Sequence, residues 1–86
     1  MTSLRTAPDY ASHLAAILNR TDLTADEKCG ALVMLAQELN PRREETRDVA
    51  VECEAAIDRL EDAGADWWRG FRSLSDTGRL ADLRAA

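Results

Sequence analysis

The sequence predicts an all-α fold, a compact small bundle of four to five helices in a single domain spanning residues 1–86. Three observations carry that expectation. Four glycines, two prolines and few β-branched residues leave little material for strands, which favour Val, Ile, Thr and aromatics. Apolar side chains recur at helical spacing, and several of these stripes follow capping signatures. Of the 39 apolar residues, 15 are alanine and two cysteine, so the 22 larger side chains must build a thin core between closely approaching helices.

The first helix is expected to begin near Thr6-Ala7-Pro8-Asp9, where Thr followed three residues later by an acid resembles a capping box and Pro suits the first turn. Tyr10, Leu14, Ile17 and Leu18 form its apolar stripe, with His13 at the edge, and the helix should fade between Asn19 and Asp22. Thr24-Ala25-Asp26-Glu27 is a cleaner start, a T-x-x-E box with two acids where the helix dipole favours them. Cys29, Leu32, Leu35, Ala36 and Leu39 make the main stripe of this second helix, while Val33 and Met34 point elsewhere. So wide an apolar circumference predicts a helix sandwiched between neighbours, with Gly30 permitting a close approach.

Asn40-Pro41 is read as the end of that helix and the start of the longest one, running to about Ala63, because Asn caps and Pro suits the first helical position. Val49, Cys53, Ala56, Ile57 and Leu60 point inward, the polar stretch from Pro41 to Asp48 projects from the core or covers it only with side-chain stems, and Gly64 provides a left-handed stop. Asp66 can cap a fourth helix carrying Trp67, Phe71 and Leu74, which Gly70 should weaken. A last segment from Ser75 or Asp76, with Leu80 and Leu83, is expected either to add another short helix that closes the core or to fray at Ala85-Ala86.

Charge is distributed unevenly. Between Glu52 and Asp66 stand six carboxylates, Glu52, Glu54, Asp58, Glu61, Asp62 and Asp66, against Arg59 alone; this stretch sums to −5, the same as the whole chain. At 100° per residue, the outer face of the long helix presents Glu44, Asp48, Val51, Ala55, Asp58 and Asp62, flanked by Glu54 and Glu61 on one side and Glu52 on the other. Like-charge pairs four residues apart, such as Glu54–Asp58 and Asp58–Asp62, each cost roughly 0.2–0.5 kcal/mol in an isolated helix. Arg42 and Arg43 near the positive end of the dipole, and Glu61 and Asp62 near the negative end, are each misplaced by about 0.3–1 kcal/mol.

Two readings of this acidic ridge compete. In one, the carboxylates solvate the outer face and pair with Arg69, Arg72 or Arg79 from the C-terminal segment. In the other, the ridge meets a partner with a basic surface. Acids one turn apart rise by ~6 Å, on the order of two nucleotide steps of ~3.4 Å, so a groove built for phosphates can accept them. Trp67 and Trp68 sharpen the question, because adjacent helical residues diverge by about 100° and both indoles are buried only if helices pack on two sides. Double burial is the simpler expectation. Otherwise Trp67 turns inward with Phe71 and Leu74, and Trp68 joins Arg72 near the surface as an anchor of the kind enriched at binding hot spots.

The composition excludes several classes. A net charge of −5 and a pI near 4.7 oppose direct binding to nucleic acid or to anionic membranes. No signal peptide is visible and the longest strongly apolar run, Ala31 to Ala36, is too short to cross a bilayer, so a cytoplasmic location is expected. Cys29 and Cys53 lack CxxC spacing and neighbouring histidines and read as buried thiols, with a bridge between them left open. One histidine, no H-E-x-x-H, no Gly-rich phosphate loop and no nucleophile with an evident base predict no enzyme, no catalytic residues and no cofactor. Paired acids on one helix face offer too few ligands for Ca²⁺ or Mg²⁺, so no metal is expected.

The functional expectation is a small acidic regulator or inhibitor that binds a protein partner with a basic or nucleic-acid-binding surface through Glu52, Glu54, Asp58, Glu61, Asp62, Asp66, Trp68 and Arg72. Phage anti-CRISPR and anti-restriction proteins offer an analogy of size and charge only. The alternative is a homo-oligomeric structural or adaptor module, a possible homodimer, joined through a patch of Met34, Val51 and Ala55. A helix-turn-helix DNA-binding reading, with Arg42, Arg43 and Arg47 opening a recognition helix, ranks third because the later carboxylates would repel phosphate.

Overall fold

The computed structural model describes residues 9–39 and 42–83, apart from the side chain of Glu45. Among these, α1 spans Tyr10–Asn19, α2 Ala25–Glu38, α3 Glu44–Asp62 and α4 Trp67–Asp76, followed by a 3-10 turn at Ala81–Leu83. The described residues contain no strand, and no helix among them is long and apolar enough to cross a membrane.

Helix α1 starts at Asp9, whose carboxylate accepts from the Ser12 amide at 3.1 Å and the Ser12 hydroxyl at 2.8 Å. The acid expected inside a capping box is thus the cap itself, and Thr6, Ala7 and Pro8 lie outside the described residues. Leu14 and Ile17 are buried, with Tyr10 and Leu18 packed against the core. His13 Nε2 lies 2.7 Å from the Leu83 carbonyl; because a carbonyl only accepts, this nitrogen carries the proton and ties α1 to the C-terminal turn.

Helix α2 has the predicted box: the Glu27 amide donates to Thr24 Oγ1 and the Thr24 amide to Glu27 Oε1. Cys29, Gly30, Ala31 and Leu32 are buried in succession, which a helix turning 100° per residue achieves only when covered on several sides. It therefore stands at the centre, with contacts to α1, α3 and α4. Gly30 and Gly70 face each other's helix. A Cβ on Gly30 would lie 2.5 Å from the Phe71 amide nitrogen, and one on Gly70 would overlap the Asp26 carbonyl. Gly70 was expected only to weaken α4; its missing side chain is instead what lets α4 press against α2.

Helix α3 begins at Glu44, later than the Asn40-Pro41 start that the sequence suggested. Arg43 is extended (φ −88°, ψ 132°) and its carbonyl accepts from the Thr46 amide at 3.2 Å, so the first turn opens on acids that the dipole favours. Asn40 and Pro41 lie outside the described residues. Thr46 is buried, against the expectation that this polar stretch projects from the core or covers it only with side-chain stems.

Both α3 and α4 end in the same motif. At Gly64 (φ 102°) the Ala65 amide donates to the Leu60 carbonyl and the Gly64 amide to that of Glu61; at Gly78 (φ 71°) Arg79 and Gly78 do the same to Leu74 and Ser75. The second stop ends α4 at Asp76, so Ser75 and Asp76 belong to α4, and the short helix expected from there is a 3-10 turn at Ala81–Leu83 that buries Leu83.

Cys29 and Cys53 are free and fully buried, and the Cys53 thiol donates to the Leu32 carbonyl at 3.2 Å. Burial pushes the Cys53 thiol up to about 11, and burial with the carboxylates of Glu61, Asp26 and Asp66 raises that of Cys29. Neither thiol should therefore react with a water-soluble disulfide reagent at pH 8 in native protein, and both should react in denaturant. Immediate native-state release of the reagent's chromophore would contradict this burial.

Candidate protein-binding surface

The inward positions of α3 divide its faces cleanly. Cys53 and Ala56 are buried and Val49, Ala50, Ile57 and Leu60 pack against the core, which leaves Glu52, Glu54, Asp58, Glu61 and Asp62 exposed. Among the described residues none of these five carboxylates forms an ion pair or a hydrogen bond with another side chain.

Two of the three arginines expected to neutralise the ridge, Arg69 and Arg79, are committed elsewhere, and Arg72 forms no ion pair among the described residues. Arg79 Nη2 sits 2.7 Å from Glu27 and its Nη1 3.7 Å from Asp22. Arg69 lies 3.6 Å from Asp26 and 4.0 Å from Asp66, so among the described residues Asp66 alone of the six carboxylates meets a C-terminal arginine. Asp66 is also the cap of α4, accepting from the Trp68 and Arg69 amides, while its own amide donates to Asp26 Oδ1 at 2.9 Å.

Neither tryptophan is buried: Trp67 is 36% and Trp68 52% exposed. The double burial expected first fails because Gly70 and Leu74 occupy the inner side of α4, and a backbone crossing this close leaves no space for an indole between the helices. Trp68 instead stacks on half-buried Phe71 (5.9 Å, 16° between planes), with Trp67 edge-on at 5.5 Å.

The eight residues selected from the sequence fall on two surfaces. Asp66, Trp68 and Arg72, with Arg69, Ser73 and Asp76, line a depression of about 410 Å³ on the outside of α4. Glu54 and Asp58 border an open groove of about 320 Å³ between α2 and α3, whose other lining residues are Val33, Ala36, Gln37 and Ile57. Glu61 and Asp62 continue the α3 row one turn further on, and Glu52 stands on its flank.

Two features escaped sequence reading. Val33, set aside as off the main stripe of α2, lines the groove; its signal was the width of that helix's apolar face. The sequence alone makes Glu27 half of a local capping box. It is 5% exposed, and its Oε2 accepts from the Ser73 hydroxyl at 2.6 Å and from Arg79 at 2.7 Å, joining α2, α4 and the C-terminal segment. The Gly78 stop that aims Arg79 at it was visible as a lone glycine after an apolar stripe. Among the described residues no three His, Cys, Asp or Glu side chains gather as a metal-binding group. Comparison with protein-family profiles, curated proteins and solved structures gave no match, so the chemistry of these surfaces carries the functional argument alone.

Proposed function

We propose that this chain is a non-enzymatic regulator or inhibitor whose α3 face binds a protein partner through a basic surface, such as one that otherwise holds nucleic acid. The observation that carries this reading is the row Glu52, Glu54, Asp58, Glu61 and Asp62, exposed and unpaired while Arg69 and Arg79 serve other carboxylates. Such a field steers a basic partner and selects its orientation.

The test is a triple reversal, Glu54→Lys, Asp58→Lys and Asp62→Lys. It should abolish salt-eluted capture of a partner from host extract while the melting temperature stays the same or rises, since like-charge pairs and acids at the C-terminal end of α3 are relieved. Undiminished capture by the folded variant would refute the proposal.

A homo-oligomeric module is the second reading, supported by Val51, which is 65% exposed on α3 with exposed Ala55 one turn away. The third member of that patch does not join them: Met34 packs against the core and borders Phe71 and Leu80 on the α4 side. Sedimentation of the native chain, compared with Val51→Lys, separates this reading from the first.

A further inference from the structure

The groove between α2 and α3 has a property that the acidic row alone lacks. Val33, Ala36 and Gln37 on one wall and Glu54, Ile57 and Asp58 on the other occupy i, i+3 and i+4 positions of their helices, so one turn of each faces the opening. The floor is aliphatic and one rim is anionic. Glu54, Asp58 and Glu61 follow that rim at i, i+4 and i+7, rising about 6 Å and then about 4.5 Å along α3.

We infer that this groove seats a basic amphipathic helix of a protein partner, with aliphatic side chains in the Val33/Ala36/Ile57 floor and Lys or Arg against Glu54, Asp58 and Glu61. The inference rests on the protein-binding reading above and names the form of the partner. A third helix laid along two packed helices shares their 1.5 Å rise, so cations at its own i, i+4 and i+7 positions match the spacing of the acids. At ~30 Å³ per water, the groove holds on the order of ten waters, which two leucine side chains would largely displace. Charge selects a cationic occupant: a second copy of this chain brings a net −5 of its own.

The probe is an 18-residue Ala/Lys helical peptide carrying leucine at three positions, i, i+4 and i+7, compared with its parent bearing alanine there and with a Leu/Glu counterpart. Binding is read by titration at low salt. The leucine peptide should bind at least tenfold more tightly than the parent and the Glu peptide not at all. Gln37→Trp, at an exposed position of α2 on the groove wall, should fill the groove and remove the leucine advantage while preserving helicity by circular dichroism.

Equal binding of leucine and alanine peptides, or no effect of Gln37→Trp in a folded variant, overturns the groove and leaves the acidic-face reading standing. Absence of binding by any cationic peptide overturns both. Equal binding of the Glu peptide, or a native dimer that dissociates on Gln37→Trp, overturns the cationic occupant.

Discussion

Gly70→Ala should destabilise this domain by about 3 kcal/mol or more, although helix propensity alone predicts a gain of about 1 kcal/mol from the same change. The two terms have opposite sign, so the measurement decides which governs. The added Cβ would overlap the Asp26 carbonyl and lie 2.7 Å from the Glu27 amide nitrogen. These are backbone atoms, which no rotamer change moves aside, and overpacking that shifts backbone costs about 1–3 kcal/mol or more. For a domain of this size, thermal denaturation should show a melting point lower by roughly 12 °C or more.

Gly64→Ala makes the control. Its Cβ would meet nothing within 4 Å, so only the positive φ is penalised, by about 1 kcal/mol. If Gly70→Ala melted at or above the native temperature, α2 and α4 would not cross as closely as described.

Removal of the Glu27 side chain is the second large effect. Glu27→Ala deletes the reciprocal half of the α2 cap and leaves Ser73 and Arg79 without their shared acceptor, for an expected loss of about 2–4 kcal/mol. Glu27→Gln, which retains an acceptor for Thr24, should lose about half as much. A double-mutant cycle with Arg79→Ala should return a coupling of about 1–3 kcal/mol. Additive effects would show that the short Arg79–Glu27 contact contributes nothing beyond its separate parts.

The same site sets the acid limb of stability. The Ser73 hydroxyl, then the Thr24 amide and Arg79, hold the Glu27 carboxyl below the usual carboxylate range, with burial opposing them. A carboxyl whose folded pKa is depressed stabilises fully above its unfolded value of about 4.3, and that contribution is lost as pH falls through the folded value. Asp22, hydrogen-bonded to Arg20 and lowered to about 2, and Asp9, lowered by Ser12, act with the same sign. Stability should therefore be level around neutrality and decline from about pH 4.5 downward, less steeply in Glu27→Gln.

What was legible in the sequence is local in the chain. The Thr24–Glu27 box, the Asp66 cap, the Gly64 stop and the stripe from Leu32 to Leu39 each involve residues within a few turns of one another. They predict helices because capping and amphipathic periodicity are satisfied within a segment. The exposed acids of α3 were legible for the same reason, since the inward stripe assigns the opposite face to solvent.

Only the tertiary structure decided which faces meet. The Asp66 amide reaches Asp26 across 40 residues, Ser73 reaches Glu27 across 46 and Arg79 reaches it across 52. Those contacts turned a capping acid into a buried junction and a helix-weakening glycine into the place where α4 seats. They also kept both tryptophans at the surface and set Val33 and Ile57 beneath Glu54 and Asp58. Helix formation depends on neighbours three or four residues away, whereas the fit of one helix on another depends on side-chain volumes at positions remote in sequence, which no single-segment pattern encodes.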